Sequence, residues 1–451
     1  MVNQSRLFLG SCFALITTAF SFSIRAGILK QLGAEYGFSN EQLGTINQMW
    51  FLGFPISMIV GGLIYQAIGG KKIMQFAFLS HTLGILLTIY SGGSYAVLLV
   101  STLFIGLGNG CTEAACNPMI ADAYEGNKMS TMLNRFHMWF PGGIVIGSLI
   151  SKFMTDAALP WQSQIWIIMI PTIIYAFLFW GQLFPQSKTI QGSNKSANYK
   201  VSIPFLSIAV LFFILYSFSD SLGISNLAGS STSFILFSVA IVTLLIGVYS
   251  LFGGLFLFMF VCMALTSISE FGPGQWIDLI LGSSGANPMI LLALTTGTMA
   301  IARFFAGSIV HRFDQTGVLL GSAVLAAIGL YLYSSLTGDI LYVVAIVYAC
   351  GIAFFWPNMV GFIADKIPQS GALGMSVIGG IGMFSSSLFQ PIIGRWIDEA
   401  HTQKAAEGLT GNALELAAGQ ATLSTMVLFP LILIVAFIGL FFYMKNRKKI
   451  A

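Results

Sequence analysis

Long apolar segments recur along almost the whole chain, and they constrain its fold more than any other feature of the sequence. Hydrophobic residues make up 56% of the 451 residues and charged residues only 8%, a balance that leaves too little polar surface for a water-soluble domain. A helix needs about 20 apolar residues to cross the hydrocarbon of a bilayer. The sequence therefore predicts an all-α membrane protein, because the ~10-residue alternating segments of a barrel are absent. About fourteen spans fit, at 6–29, 44–67, 73–92, 95–122, 134–154, 164–184, 203–219, 232–250, 252–281, 289–310, 317–336, 340–364, 372–396 and 422–445.

The basic residues predict how these spans are oriented. If the spans are counted in this way, one side of the membrane carries Lys71, Lys72, Lys366 and the basic C-terminal tail. In membrane proteins the cytoplasmic loops carry the excess of Lys and Arg. Both termini are then expected to be cytoplasmic, in a cell inner membrane. The N-terminal run has no small-residue cleavage site, so it is expected to be a first span rather than a signal peptide. No basic stripe indicates nucleic-acid binding.

A weak internal repeat indicates that the chain is built from two related halves. The segment 19–27, which contains Arg25, aligns with the segment 264–272, which contains Glu270. Repeated halves are typical of secondary transporters, whose solute site lies at mid-membrane between the repeats. The predicted organisation is an N-terminal six-helix bundle at 1–184, a cytoplasmic linker at 185–202, an inserted pair of spans at 203–250 and a C-terminal six-helix bundle at 251–451.

Several motifs carry a resemblance to a known family. Two six-helix halves with a glycine-rich, basic turn at 69–72 resemble the major facilitator superfamily. Within it, the segment 110–118 (GCTEAACNP) and Glu270 followed by Gln275-Trp276 resemble the fucose–galactose–glucose:proton symporter family. The resemblance implies a sugar as the solute, a proton as the coupling ion and Glu113 as the residue that carries the proton.

Two positions depart from the pattern of that family. Tyr65 and Gln66 stand where the superfamily's basic turn has an Asp, and Arg25 lies in the part of the first span where the symporters carry an Asp. A permanent cation in the first span leaves open a uniporter or a sodium symporter. It also leaves open a carrier of an anionic or zwitterionic solute that binds the planar fork of Arg25.

Three charged residues lie deep in apolar runs, namely Arg25, Glu113 and Glu270. A charge at the centre of a bilayer costs about 2.5–3.5 kcal/mol, so such residues usually face the interior of a bundle and are functional candidates. Glu113 is expected to take up and release a proton in each cycle, although a structural salt bridge is the alternative. Arg25 and Glu270 lie at a similar depth, ~27 Å from the starts of their spans. They are therefore expected to pair across a central cavity, either orienting the solute or as a plain structural bridge.

Further polar and aromatic residues are candidates for the solute site and for a gate. A sugar needs several donors and acceptors around its ring and an apolar face for stacking. The candidates for solute contact are Asn117, Asn358, Gln48, Asn47, Gln390, His137, Trp50, Trp139, Trp356 and Trp276. The candidates for a cytoplasmic gate are Lys71, Lys72, Arg303 and Arg312.

The sequence as a whole predicts a secondary transporter that works by alternating access. The expected solute is a neutral sugar or sugar-like molecule, carried by proton symport by a monomer in the lipid bilayer. No phosphate loop, nucleophile elbow or metal-ligand cluster is found, so neither an enzyme nor a cofactor or metal site is predicted. The five cysteines show no redox or metal-binding spacing and are expected to be small packing residues.

Overall fold

The computed structural model describes residues 2–124, 132–133, 135–185, 199–217, 230–304, 306–367 and 370–450. Within these ranges the secondary structure is helical and contains no strand. The longer helices are α1 (Gln4–Tyr36), α2 (Asn40–Ile89), α3 (Tyr95–Ala123), α4 (Trp139–Asp156), α5 (Trp161–Phe179), α6 (Tyr199–Ser217), α7 (Ser230–Phe252), α8 (Gly254–Gln275), α9 (Ile277–Leu281), α10 (Pro288–Phe304), α11 (Ala306–Ser335), α12 (Ile340–Ile352), α13 (Phe355–Lys366), α14 (Gly371–Ala406), α15 (Gly411–Met426) and α16 (Leu428–Ile450).

These helices confirm an all-α, multi-pass membrane protein. Eleven segments of the described residues are long and apolar enough to cross a bilayer, and the described residues of each of the fourteen predicted spans are largely helical. The boundaries differ at several places. The second and third predicted spans follow one another within α2, and only Gly69 between them is non-helical (φ 77°, ψ 155°). Glycine adopts this conformation without the Cβ penalty. The predicted span 252–281 ends at Gln275 and resumes as α9, and the span 340–364 is divided between α12 and α13.

The described chain divides into two compact units. The larger unit comprises Met1–Ile190, Met263–Asn358 and Gly379–Ala451, and the smaller comprises Gln191–Cys262 and Met359–Ile378. In the smaller unit, α6 and α7 pack side by side, and the rings of Tyr216 and Phe237 lie 5.1 Å apart. The larger unit holds every candidate residue discussed below.

Close contact between α2 and α3 sets the positions of several candidate side chains. Gly106 and Gly110, one turn apart on α3, lie against the backbone carbonyls of Trp50 and Phe54 on α2. A Cβ atom at either glycine would overlap those carbonyls, so only small residues allow this approach. Trp50 lies on α2 at this contact. Glu113 lies on α3, one turn beyond Gly110.

The start of α2 packs against α14 in the same way. Added Cβ atoms at Gly44 and Gly394 would overlap the backbone oxygens of Gln390 and Asn40, respectively. Asp398 accepts hydrogen bonds from the backbone N–H groups of Asn40 and Glu41 at 3.3 and 3.0 Å. At this end, which carries the α1–α2 connection, the backbones of the two helices are in direct contact.

Candidate functional site

Arg25 is a buried cation between two helices and an indole ring. Its side chain is 7% exposed, and its guanidinium lies 5.1 Å from the ring centre of Trp50. Its Nη2 donates to Oε1 of Gln275 at 3.3 Å, while Gln275 Nε2 donates to the carbonyl of Phe22 at 3.0 Å. Among the described residues, no carboxylate pairs with Arg25, and its Nε has no hydrogen-bond partner. Within the part of the chain that the structure describes, the charge of Arg25 is therefore held by neutral groups only.

Glu270 takes a different partner from the one expected. Its Oε1 lies 3.1 Å from Nη2 of Arg303, and the Nε of Arg303 donates to the carbonyl of Ala353 at 2.8 Å. Glu270 is 8% exposed. The predicted Arg25–Glu270 pair is not formed, because the counter-charge of Glu270 comes from α10, a neighbouring helix in the same half of the sequence.

The observed starts of α1 and α8 explain why Arg25 and Glu270 do not pair. The two predicted spans begin at residues 6 and 252, whereas α1 begins at Gln4 and α8 at Gly254. Arg25 therefore lies 21 residues into its helix and Glu270 only 16, a difference of about 7 Å at 1.5 Å per residue. Gln275 lies 21 residues after Gly254, so it stands at the level of Arg25. Gln275 had no predicted role, because nothing in an amide residue marks it as the partner of a buried cation.

Glu113 is hydrogen-bonded to Asn117 one turn further along α3. The Nδ2 of Asn117 donates to Oε2 of Glu113 at 2.6 Å, and both residues are half-buried. Among the described residues no cation pairs with Glu113. The carboxyl group is therefore held by a neutral amide and is partly accessible.

Aromatic rings surround a small cavity between α1, α4, α8 and α10. Phe22 makes edge contacts with Trp50, Phe140 and Phe271, with ring centres 5.7, 6.3 and 6.0 Å apart. The cavity has a volume of about 40 Å³, and Glu270 contributes to its wall. That volume holds a few water molecules, whereas sites for small solutes occupy roughly 300–1,000 Å³. A solute can enter only if the helices around these rings separate.

Several predicted polar residues lie buried at the contact between α2 and α14. Asn47 and Gln390 are both 0% exposed, and neither the oxygen nor the nitrogen of either amide has a partner among the described residues. The backbone carbonyl of Gln48 accepts from the hydroxyl of Ser387 at 3.0 Å. Asn358 of α13 donates to the carbonyl of Phe354, the residue just before that helix, at 3.0 Å. The amides of Asn47 and Gln390 thus retain their hydrogen-bonding capacity.

The remaining predicted residues are not brought to Arg25. Trp139 packs against a separate apolar cluster around Phe136. Trp356 contacts Phe271 with ring centres 6.4 Å apart, and Trp276 is fully buried at the break between α8 and α9, with no partner for its Nε1 among the described residues. Three residues are exposed, namely His137, Lys71 and Lys72. The side chain of Arg312 lies outside the described residues.

Comparison with known proteins gives the family. The model of the Major Facilitator Superfamily matches residues 11–269. Two curated relatives from Arabidopsis thaliana are a chloroplastic sodium-dependent phosphate transport protein, 27% identical over 27% of this chain and 24% of its own, and a chloroplastic probable anion transporter, 21% identical over 30% and 26%. The match thus spans about a quarter of the length of these relatives.

The fold agrees with that match. The crystal structure of an auto-inhibited peptide transporter of the POT family superposes with a TM-score of 0.72 over 98% of this chain and 97% of its own, at 14% identity. At that identity the likeness shows the fold alone. Together with the family match, which covers more than half of the sequence, it shows that the chain belongs to the Major Facilitator Superfamily and is a transporter rather than an enzyme.

Proposed function

We propose that this transporter carries an anionic solute whose carboxylate or phosphate group binds Arg25. The observation that carries the proposal is the charge of Arg25, which has no counter-charge in the described ranges and is buried against Trp50 and bonded to the neutral amide of Gln275. A buried charge without a counter-charge costs several kcal/mol, and a bound anion would supply that counter-charge. The guanidinium fork binds both oxygens of a carboxylate or phosphate at once.

Two further observations support this class of solute. Glu270, which was expected to be the counter-charge of Arg25, is paired with Arg303 instead. Its carboxylate therefore does not compete with a bound anion for Arg25. The relatives from Arabidopsis thaliana are named as phosphate and anion transporters. The proposed cycle begins when the anion displaces the amide oxygen of Gln275 from Arg25, and it ends when one half has moved against the other.

A neutral sugar is the second candidate. The fully buried amides of Asn47 and Gln390 have no partners among the described residues. Hydroxyl groups both donate and accept, so a sugar that reached these amides would satisfy them. Binding of a neutral sugar would not require the positive charge of Arg25, whereas binding of an anion would.

Matched anionic and neutral solutes distinguish the two candidates. We expect glucuronate, glucose 6-phosphate or inorganic phosphate to raise the melting temperature of the purified protein, while glucose leaves it unchanged. A ligand at 100 times its Kd stabilises the folded state by about 2.7 kcal/mol. The measurement is a thermal-shift titration at constant ionic strength, with sodium chloride as the control for non-specific salt effects. Stabilisation by glucose and by none of the anions would favour the sugar.

We further propose that Glu113 couples transport to a proton. Its carboxyl group is half-buried, bonded to Asn117 and free of a cationic partner among the described residues. It can therefore be neutralised by a proton without breaking an ion pair. Uniport and sodium symport are the alternatives.

Replacing Glu113 with Gln is expected to abolish uptake against a gradient and to preserve exchange. Glutamine keeps the shape and a hydrogen bond to Asn117 but cannot exchange a proton. Proteoliposomes would be assayed for pH-driven accumulation and for counterflow of labelled solute. Glu415→Gln, which removes an exposed carboxylate that contacts His401, is the matched control. Undiminished accumulation by Glu113→Gln at every pH would exclude the proton role.

The topology proposed for this transporter follows the positive-inside pattern. Both termini are placed in the cytoplasm and the protein in a cell inner membrane, where it acts as a monomer. The six-helix bundles at 1–184 and 251–451, the linker at 185–202 and the inserted pair at 203–250 form the proposed domain organisation. Membership of the fucose–galactose–glucose:proton symporter family stays a prediction, as does a gate formed by Lys71, Lys72, Arg303 and Arg312.

A further inference from the structure

A chain of buried hydrogen bonds ends at the indole that lies beneath Arg25. The hydroxyl of Tyr175 is 2.9 Å from Nδ1 of His81, and Nε2 of His81 is 2.9 Å from Oδ1 of Asn109. Nδ2 of Asn109 donates to Oγ of Ser21 at 3.2 Å, and Nε1 of Trp50 donates to the same oxygen at 2.9 Å. Each of the five side chains is at most 2% exposed. Four helices, α1, α2, α3 and α5, contribute to this chain.

The donors and acceptors of the chain assign one direction to every bond. Ser21 gives its single hydroxyl hydrogen to the carbonyl of Thr18 at 2.8 Å, so its oxygen accepts from both Trp50 and Asn109. The amide oxygen of Asn109 then accepts, which requires the hydrogen of His81 to be on Nε2. Nδ1 of His81 is left to accept from the hydroxyl of Tyr175. A neutral imidazole therefore satisfies every member, and a fully satisfied buried network favours one arrangement of its side chains.

The neighbouring backbone leaves space for this arrangement. Gly108 on α3 faces the imidazole of His81, and a Cβ atom at that position would overlap the ring. The ring of Tyr175 also contacts the imidazole edge-on, with centres 5.9 Å apart. His81 is thus fixed by its two hydrogen bonds and by the shape of its surroundings.

We infer that His81 and Asn109 are positioning residues for the anion site, because they fix the indole of Trp50 on which the guanidinium of Arg25 rests. Neither residue contacts Arg25 directly. The route runs from His81 through Asn109 and Ser21 to Trp50, and then across 5.1 Å to Arg25. A cation over an aromatic face is attracted by the quadrupole of the ring, most strongly in a dry site. Tilting the indole would release the guanidinium from the orientation that receives the solute.

This inference rests on the proposed anion site, but one readout is independent of any solute. The emission of Trp50 is obtained by subtracting the spectrum of Trp50→Phe from that of the parent, with and without a substitution at His81. In the parent protein, and with His81→Gln, we expect this difference spectrum to resist quenching by acrylamide. Glutamine retains a donor near the place of Nε2, so it rescues the bond to Asn109. With His81→Leu we expect the emission of Trp50 to become quenchable.

The second readout is the apparent affinity for an anion. For glucuronate or inorganic phosphate, whichever binds the parent protein, His81→Leu is expected to raise KM about tenfold and to leave kcat within twofold. If His81→Leu does not fold, Ser21→Ala replaces it, because it removes the oxygen to which Trp50 donates. Emission of Trp50 that is unchanged by both variants would overturn the inference, whatever the solute. Failure of every anion to bind the parent would instead overturn the proposed function and leave the spectroscopic result standing.

Discussion

Replacing Arg25 with Gln is expected to lower the uptake of anionic solutes by at least about thirtyfold. Truncating one partner of a buried, hydrogen-bonded charge pair costs about 2–5 kcal/mol, which corresponds to roughly thirtyfold to several thousandfold in affinity. Glutamine keeps a hydrogen-bonding group beside Gln275 but removes the positive charge. The loss would appear in binding, since the charge contacts the solute before any movement of the helices.

Arg25→Lys separates the charge of this residue from its geometry. Lysine restores the positive charge but is a single point charge without the planar fork, so we expect partial recovery of uptake, to within about tenfold of the parent. The measurement is initial uptake into proteoliposomes together with equilibrium binding of the same anion. Lys152→Gln, which removes a partly exposed cation that contacts Asp156, is the control. Retention of anion uptake by Arg25→Gln to within threefold would exclude Arg25 as the binding group.

Replacing Gly394 with Val is expected to stop transport without unfolding the protein. The backbone oxygen of Asn40 occupies the space that a side chain at Gly394 would need, and backbone cannot yield as the end of a flexible side chain can. The start of α2 and the facing part of α14 could then not close on each other. Because a transporter must pass through closed and open arrangements of its two ends, a protein that cannot close this end would bind solute but not turn over.

Thiol labelling reports the trapped arrangement. A cysteine introduced at Gln390, which is fully buried in the closed contact, should react with a membrane-impermeant maleimide only when α2 and α14 have separated. We expect rapid labelling in the Gly394→Val background and slow labelling in the parent. Gly439→Val is the matched control, since no atom lies within 4 Å of a Cβ added there. Equal labelling rates in both backgrounds would show that this contact does not limit closure.

The sequence predicted the positions of the helices well and their partners less well. Apolar segments of about 20 residues identify spans directly, and α1 and α3 begin within two residues of the predicted positions. The predicted pairing of Arg25 with Glu270 was wrong, because an error of two residues in a helix start changes the depth of a side chain by about 3 Å. Two such errors of opposite sign moved Gln275, not Glu270, to the level of Arg25.

Partners that come from several helices were the least predictable part of the site. His81 is a lone imidazole in an apolar run, and Asn109 lies between two glycines, so neither forms a motif in the sequence. Their hydrogen bonds to Tyr175 and Ser21 join residues 94 and 88 positions apart, respectively. Only the packing of the helices brings these groups together. Arg25, by contrast, could be recognised from the sequence, because a charge within an apolar span stands out from its neighbours.

The carboxylate of Asp398 makes the two faces of the membrane unequal for this carrier. It accepts hydrogen bonds from Asn40 and Glu41 across the contact between α2 and α14, and a hydrogen bond to a charged group contributes a net of about 1.5–3 kcal/mol. Separation of the two helices would break these bonds. A difference of about 1.4 kcal/mol, close to the lower end of that range for one bond, keeps the unloaded protein shut at this end about ten times as often as it is open. Apparent affinity falls in proportion to the fraction of competent molecules. Half-saturation should therefore require about tenfold more solute when it arrives from the side where α1 joins α2.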